Sequence, residues 1–263
     1  PSDSQECVDF MKAAFEISEQ WHIPVLYRVT TRVCHSKSLV EFSDRKEVPY
    51  EPFTRNIANR VSTPANAYRN HATVEKKMAE LAEFGRTCSL NKMELKGSKI
   101  GVVTAGITYQ YAKEVFPEDA SFLKLGLTNP LPMELIREFA AKVEKLYVME
   151  ELDPFMEEQI KAAGIECVGK ELTGLLYELN PQLLAQRVFG KEPETKAVAV
   201  EAVPRPPVLC PGCPHRGFFY TMSKNKNFVV GGDIGCYTLG CAAPLNALDS
   251  VVCMGGGFTV AMG

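Results

Sequence analysis

Hydrophobic positions follow two different periods along the middle of the chain. Short, almost continuously apolar runs occur at 100–106, 122–127, 145–151 and 165–169. The segments between them, and a last one at 181–190, place apolar residues at helical spacing. Runs of the first kind are typical of buried strands, and the segments between them of helices of about 10–15 residues. This alternation predicts right-handed crossovers and a parallel sheet, so we expect one α/β domain over residues 95–190.

Helix boundaries are signalled at several points of the chain. Asp3 with Glu6 three residues later has the form of a capping box, and an apolar stripe follows it. Asp153 before Pro154 predicts a second helix start, which Gly164 would close. The apolar run at 23–30 predicts a strand buried on both faces. Residues 34–70 show no period and are interpreted as a long connection before a helix at 73–87.

The last quarter of the chain has a different character. Residues 191–207 are rich in proline without a pattern and are interpreted as an extended linker. After it, ten of the 19 glycines fall within residues 210–263, beside the strand-like runs at 228–230 and 250–253. We expect the start of another α/β domain, with loops that approach a ligand closely.

Composition narrows the class of protein. At about 150 residues per domain, 263 residues predict somewhat under two domains. The net charge of −3 argues against a general nucleic-acid binder, and no apolar run is long enough for a membrane span. No signal peptide opens the sequence. Nine cysteines are a poor disulfide framework, so we expect a reduced, cytoplasmic protein.

The motif CPGC at 210–213 places two thiols three residues apart on a Pro-Gly turn. This spacing suits zinc, an iron–sulfur cluster or a redox pair, and Cys236 at a predicted strand end is a third candidate ligand. A buried, inert Cys236 is the alternative, because free cysteine is often a small core residue. The remaining cysteines are interpreted as structural: Cys7, Cys34, Cys88, Cys167, Cys241 and Cys253.

Polar and glycine-rich positions supply further candidates. Gly232, Asp233 and Gly235 in GGDIG could cradle a phosphate, although Asp233 could equally cap a turn. Met254 and Gly255 open a second such loop. The candidates for binding an anionic substrate are Arg32, His35, His215 and Arg216.

The same four positions have simpler readings. Arg32 and His35 would lie on a surface loop, and His215 and Arg216 at a helix start with a solvated arginine. Glu150 and Glu151, near Asp153, are interpreted as forming a domain contact rather than a catalytic group.

Taken together, the motifs of this chain resemble one family. They are PVLYRVTTRVCHS, SFLKLGLTNPLP, YVMEELDPFMEEQIK, CPGCPHRGFFY, and GDIGCYTLG followed by PLNALDSVVCMGGG. In this order they resemble the large (alpha) subunit of indolepyruvate:ferredoxin oxidoreductase, a thiamine-diphosphate-dependent 2-oxoacid:ferredoxin oxidoreductase. The likeness runs from one end of the sequence to the other and is loosest at 36–90 and 191–206.

The resemblance implies transketolase-like, three-layer α/β domains with parallel sheets. Residues 1–35 would end the pyrimidine-side thiamine domain, and 36–94 would connect it to a transketolase C-terminal-like domain at 95–190. After the linker, 208–263 would start the diphosphate-side domain. Because the glutamate that activates thiamine and the motif that binds Mg²⁺ would lie outside this sequence, we expect a fragment that is inactive alone.

The resemblance also implies an activity and its cofactors. Such enzymes oxidatively decarboxylate aryl pyruvates to aryl-acetyl-CoA and pass the electrons to ferredoxin, with thiamine diphosphate, Mg²⁺, a [4Fe-4S] cluster and coenzyme A. Cys210, Cys213 and Cys236 match the family's cluster ligands. The thiamine neighbours would be Gly232, Asp233, Gly235, Cys236, Met254 and Gly255. The partners would be a smaller beta subunit in a hetero-oligomer, and ferredoxin.

Two other classes of function remain open from the residues alone. CPGC could bind zinc or a cluster in a non-catalytic electron-transfer or scaffold module. It could also act as a thiol-redox pair, although no thioredoxin-like strand leads into the motif.

Overall fold

The computed structural model describes residues 1–192 and 203–263, which divide into two compact units, Pro1–Thr195 and Lys196–Gly263. Residues 193–202, within the predicted linker, lie outside the described residues. Each unit has its own hydrophobic core. Among the described residues, no helix combines the length and the apolar character that crossing a membrane requires.

The first unit opens with four helices, and strands and helices alternate over residues 100–162. Its helices are α1 (Ser4–Trp21), α2 (Thr31–His35), α3 (Ile57–Arg60), α4 (Pro64–Thr87), α5 (Thr108–Val115), α6 (Met133–Ala140), α7 (Phe155–Ala162), α8 (Lys170–Thr173) and α9 (Pro181–Phe189). Its strands are β1 (Lys92–Glu94), β2 (Ile100–Ala105), β3 (Ser121–Leu125) and β4 (Lys145–Met149). The α/β class expected from the sequence is confirmed.

The four strands form one sheet in the order β1-β3-β2-β4. Strand β2 lies at its centre and pairs in parallel with β3 and β4, so that Val103 is opposite both Leu123 and Val148. The expectation of a wholly parallel sheet is wrong at one edge, where β1 pairs antiparallel with β3. A half-exposed edge strand of three residues carries too short a pattern to be detected in the sequence.

Helices cover both faces of this sheet, which gives three layers. Alternate strand residues point to opposite faces, so Val103 belongs to one core and its neighbour Val102 to the other. The first core takes Ile136 of α6 and Ile160 of α7, and the second takes Leu184 of α9. All five of these side chains are fully buried.

Three expectations about local structure are wrong. The run at 23–30 forms no strand, and its Leu26 is 91% exposed, because an apolar run becomes a strand only beside a partner strand. The run at 165–169 makes only an isolated bridge, between Val168 and Tyr147. Helix α4 begins at Pro64, inside the predicted connection, where Thr63 accepts a hydrogen bond as its N-cap.

Carboxylates begin two of the helices in different ways. Asp3 caps α1 as predicted, since its Oδ1 accepts from the Glu6 amide at 2.8 Å. The other half of the predicted capping box is wrong, because the Glu6 carboxylate accepts from the Ser2 amide at 2.9 Å. At α7 the predicted cap Asp153 is also wrong. Glu150, at the end of β4, reaches the amide of Met156 at 2.9 Å instead.

The second unit is smaller. It contains α10 (Pro214–Ser223), β5 (Gly231–Gly232), a 3-10 helix (Cys236–Cys241), β6 (Ser250–Val251) and α11 (Gly256–Met262). Strands β5 and β6 pair in parallel. The strand predicted at 228–230 is wrong, because β5 lies at the two glycines that follow this run, and β6 covers only the first two residues of the run at 250–253. The core of this unit is formed by Leu209, Phe219 and Ala247.

Candidate cofactor and metal site

The CPGC motif forms the tight turn that its sequence predicts. The amide of Cys213 donates to the carbonyl of Cys210 at 3.1 Å, and Gly212 has a φ of +77°. A turn with this positive φ at its third residue favours glycine, because a Cβ would be strained there. Cys210 is exposed and Cys213 is half-buried, where it forms the N-cap of α10.

Arg216 binds back to this turn from the first turns of α10. Its Nη2 donates to the carbonyl of Leu209 at 2.6 Å, and its Nε lies 3.1 Å from the carbonyls of both Leu209 and Cys210. The guanidinium is therefore engaged with backbone oxygens. Neither interpretation from the sequence, an anion contact or a solvated arginine, anticipates this arrangement.

His215 lies beside the second thiol of the turn. Its Nδ1 is 3.3 Å from the Sγ of Cys213. Its ring stacks on Phe219 with centroids 6.3 Å apart and is tilted against Tyr237 at 5.9 Å. These contacts fix the imidazole against the cysteine pair.

The third candidate ligand, Cys236, is exposed at the start of the 3-10 helix. Across residues 1–192 and 203–263, no three side chains of His, Cys, Asp or Glu come together as a metal site. Two thiols on one turn are the donors that zinc and iron–sulfur clusters take. The residues present thus fit two ligands of such a group, and Cys236 is not gathered with them.

The two glycine loops of the second unit meet each other. Asp233 Oδ1 accepts from the amide of Gly257 at 2.5 Å. A Cβ on Gly257 would lie 2.6 Å from the carbonyl oxygen of Gly232, so a side chain there would displace backbone. Of the two predicted roles of Asp233, the structure shows a cap, and the helix it caps is α11 rather than the turn that follows Asp233.

This packing bears on the predicted phosphate loop. The amide of Gly235 donates to Thr238 Oγ1 at 3.0 Å, and that hydroxyl donates to the carbonyl of Asp233 at 2.7 Å. The amides of Gly235 and Gly257 therefore have protein acceptors, and in this arrangement neither faces an anion. Met254 is 79% exposed, and Gly255 follows it with a φ of +76°.

An open groove of about 600 Å³ lies between α10, β5 and α11. Its floor includes the backbone of Gly232 and Asp233. Aromatic and aliphatic side chains line much of it, and Phe218, Phe258 and Met262 are more than half exposed. Flat aromatic ligands suit such walls, because aromatic rings pack favourably edge to face or in offset stacks.

The candidates of the first unit are engaged elsewhere. The Nε of Arg32 donates to Glu178 at 3.0 Å, and this hydrogen bond lowers the pKa of Glu178 below its ordinary value. His35 is exposed at the end of the same short helix, α2. Glu151 accepts from the amide of Leu179 at 3.1 Å, which ties the end of β4 to the segment before α9. The free cysteine Cys167 packs against the core, and burial raises its pKa to about 11.

One buried polar cluster was missed from the sequence. Lys124 lies in the middle of β3 and is 3% exposed. Its ammonium pairs with Glu6, lies 2.8 Å from Ser2 Oγ and sits 4.7 Å from the ring centre of Tyr109. The sequence contained an indication of this cluster, since a lysine interrupts the apolar run FLKLGL at 122–127.

A second missed cluster surrounds the end of β4. The Glu150 carboxylate is buried, and burial raises its pKa in spite of the amides of Met156 and Glu157 that donate to it. Glu157 in turn accepts from Lys161 Nζ at 2.6 Å and from the amide of Lys170 at 2.6 Å. These carboxylates organise helix starts. The contacts of Glu150 and Glu151 among the described residues lie within the first unit, so the predicted domain contact is not seen there.

Comparison with known proteins gives a consistent result over the whole sequence. No protein-family model matches the chain. The indolepyruvate oxidoreductase subunit IorA of Methanothermobacter thermautotrophicus is 38% identical over 284 residues, which cover 97% of this chain and 46% of that protein. The subunits IorA of Archaeoglobus fulgidus and Pyrococcus horikoshii are 31% and 33% identical over the full chain. The chain spans about half the length of the curated relatives it matches.

Among solved structures, part of the chain is similar to a 2-oxoglutarate:ferredoxin oxidoreductase from Magnetococcus marinus, which was solved with 2-oxoglutarate, coenzyme A and succinyl-CoA bound. The two are 19% identical with a TM-score of 0.38, over 48% of this chain and 23% of that one.

Proposed function

The chain belongs to the family of the indolepyruvate oxidoreductase subunit IorA, of which it spans about half the length, and we propose that it forms part of a 2-oxoacid:ferredoxin oxidoreductase. The observation that carries this proposal is the identity of 31–38% to six such subunits along nearly the whole chain. The complete enzyme would decarboxylate a 2-oxoacid oxidatively, form its coenzyme A thioester and reduce ferredoxin.

We propose aryl pyruvates, indolepyruvate and phenylpyruvate, as the substrates. The relatives are named for indolepyruvate. The groove lined by Phe218, Phe258 and Met262 supports this choice, because an aromatic ring gains more from such walls than a short aliphatic chain does. These three side chains would set the preference for the ring and leave the decarboxylation itself to other groups.

The proposed cofactors are thiamine diphosphate with Mg²⁺, a [4Fe-4S] cluster, and coenzyme A as co-substrate. Thiamine diphosphate supplies the electron sink for decarboxylation when it is bound. Within this chain its neighbours would be the residues of the two glycine loops: Gly232, Asp233, Gly235, Cys236, Met254 and Gly255. Because the amides of Gly235 and Gly257 have protein acceptors, the loops would contact the cofactor through other groups.

Cys210 and Cys213 would hold the cluster, with Cys236 as a third ligand. Their turn presents two thiols together, and Cys236 would have to approach them when the cluster binds. The partners would be a smaller beta subunit, in a hetero-oligomer, and ferredoxin. We propose a reducing, cytoplasmic setting, because an odd number of cysteines is a poor disulfide framework.

The domain limits remain part of the proposal. We propose 1–35 as the end of the pyrimidine-side domain, 36–94 as a connection, 95–190 as the transketolase C-terminal-like domain, 191–207 as a linker and 208–263 as the start of the diphosphate-side domain. The division of the chain between residues 195 and 196 falls within the proposed linker and supports separating 95–190 from 208–263.

The test is ferredoxin reduction by the complete subunit with its partner, purified without oxygen. We expect turnover of indolepyruvate and phenylpyruvate that requires both thiamine diphosphate and coenzyme A, with iron and sulfide bound to the protein. No turnover of any 2-oxoacid, or zinc in place of iron, would contradict the proposal. Phe258→Ala should raise the KM for aryl pyruvates and leave the KM for 2-oxobutyrate unchanged, which tests the groove separately from the reaction.

A further inference from the structure

We infer that Arg216 is a positioning residue for the cysteine pair: its guanidinium holds the Cys210–Cys213 turn in the geometry in which both thiols serve one metal centre. This inference rests on the proposed metal-binding role of the turn. It goes beyond that role because it assigns Arg216 to the turn, whereas the sequence suggested Arg216 as a candidate for binding the substrate anion. The hydrogen bonds of the Arg216 side chain support this inference.

The turn is held at both of its ends. Before it, Leu209 is 4% exposed and packs in the core of the second unit with Phe219 of α10. After it, the amide of Arg216 donates to the carbonyl of Cys213 at 3.1 Å, which continues the turn into the helix. The residues between these anchors are Cys210, Pro211 and Gly212, and all three are exposed.

Arg216 closes this arrangement from the side. The carbonyl of Leu209 accepts from both Nε and Nη2, and the carbonyl of Cys210 accepts from Nε and from the amide of Cys213. Rotation of the Cys210 peptide would break the bonds made to its carbonyl at once. The peptide that carries the first thiol is thus locked relative to the helix that carries the second.

The chemistry of the guanidinium explains why an arginine stands here. Its donors lie in a rigid plane and reach two neighbouring carbonyls together, whereas a lysine ammonium is a compact point donor on a flexible stem. Its positive charge is also suited to a pair of thiolates bound to a metal. Arg216→Lys keeps the charge and removes the planar donor set, so it separates the two contributions.

The test measures whether the two thiols are presented together in the metal-free protein. Phenylarsine oxide bridges two nearby thiols and is titrated against wild type and Arg216→Lys, with Cys210→Ser as the background for other thiols. We expect Arg216→Lys to weaken bridging about tenfold, the effect of losing one charge-assisted hydrogen bond. The midpoint of thermal unfolding should fall only slightly, because Arg216 is exposed and its replacement leaves no cavity.

Two further measurements make the result decisive. Arg205→Lys, an exposed arginine before the turn, is the matched control and should bind the arsenical as wild type does. Bridging by Arg216→Lys at the wild-type level would overturn the inference, since the charge alone would then suffice. A wild type that bridges the arsenical but takes up no iron and sulfide would contradict the proposed cluster site and leave the role of Arg216 supported.

Discussion

The ammonium of Lys124 pairs with the carboxylate of Glu6, 118 residues earlier in the chain, and both side chains are almost fully buried. Ser2 completes the cluster, because its hydroxyl lies 2.8 Å from Lys124 Nζ and its amide donates to Glu6. A buried charge is tolerated only where partners replace its lost water. This pair therefore fixes the start of α1 on the face of β3.

Removal of one partner should destabilise the first unit strongly. Lys124→Met leaves the buried Glu6 with only the exposed ammonium of Lys92, 3.7 Å away. Loss of the buried partner costs about 3–5 kcal/mol of unfolding free energy. The exposed Lys142→Met should change the free energy little. Urea unfolding measures both variants. The double variant Lys124→Met with Glu6→Leu should recover much of the loss, and equal instability of the single and double variants would contradict the pairing.

The stability of this pair should depend on acidity. Burial alone would raise the pKa of Glu6, but hydrogen bonds from Lys124 and Ser2 outweigh it and hold the pKa below its ordinary value of 4.5. A depressed carboxyl pKa stabilises the fold above pH 4.5, and that stability is lost as the pH falls through the folded pKa. Urea unfolding below pH 4.5 should show the loss in wild type, and Glu6→Gln should lack this part of it.

Glu150 should show the opposite dependence. Burial raises its pKa above 4.5, so its contribution is present at low pH and is lost as the pH rises through the folded pKa. Glu150→Gln should therefore remove a decline in stability on the alkaline side of pH 4.5, measured by the same unfolding series. A wild type whose decline persists in this variant would show that another group is responsible.

Glycine 257 should be required for the contact between the two glycine loops. Gly257→Ala forces a Cβ to within 2.6 Å of the Gly232 carbonyl, and overpacking of this kind costs about 1–3 kcal/mol. Gly217→Ala is the matched control in α10, where nothing lies within 4 Å of the added Cβ. The control should be neutral or stabilising, because alanine is the better helix former. Hydrogen exchange at residues 231–238 reports the difference.

Asp233 offers a way to separate a cap from a cofactor contact. Asp233→Ala removes the acceptor of the Gly257 amide and should cost about 1 kcal/mol, as loss of a helix cap does. Asp233→Asn keeps an acceptor oxygen and should retain most of the stability. If the carboxylate also serves the proposed thiamine and Mg²⁺ site, Asp233→Asn should lower thiamine affinity at unchanged thermal stability; unchanged affinity would restrict Asp233 to the cap.

The parts of the fold that the sequence predicted are those with local signals. Strands β2, β3 and β4 are short apolar runs buried on both faces, and α9 ends at Gly190 with the positive φ expected of a glycine cap. Strand β1 could not be predicted, since it is defined by pairing with β3, about 30 residues later. The same reason removes the strand expected at 23–30, which has the composition of a strand but no neighbouring strand.

The candidate site also combines features that follow from adjacent residues with features that depend on distant contacts. The turn at Cys210–Cys213 follows from Pro211 and Gly212, which are adjacent in the sequence. The role of Arg216 depends on a side chain that folds back to a carbonyl seven residues earlier, and the Asp233–Gly257 contact joins residues 24 apart. Spacing alone supplied candidate residues, and it did not predict the contacts that they make.

The separation between Glu6 and Lys124 also sets an order of events during synthesis. Helix α1 leaves the ribosome before β3, and the charge of Glu6 has no buried partner until β3 has been made, 118 residues later. At about 5–20 residues per second this interval lasts roughly 6–24 seconds. The buried ion pair that attaches α1 to β3 cannot form during this interval.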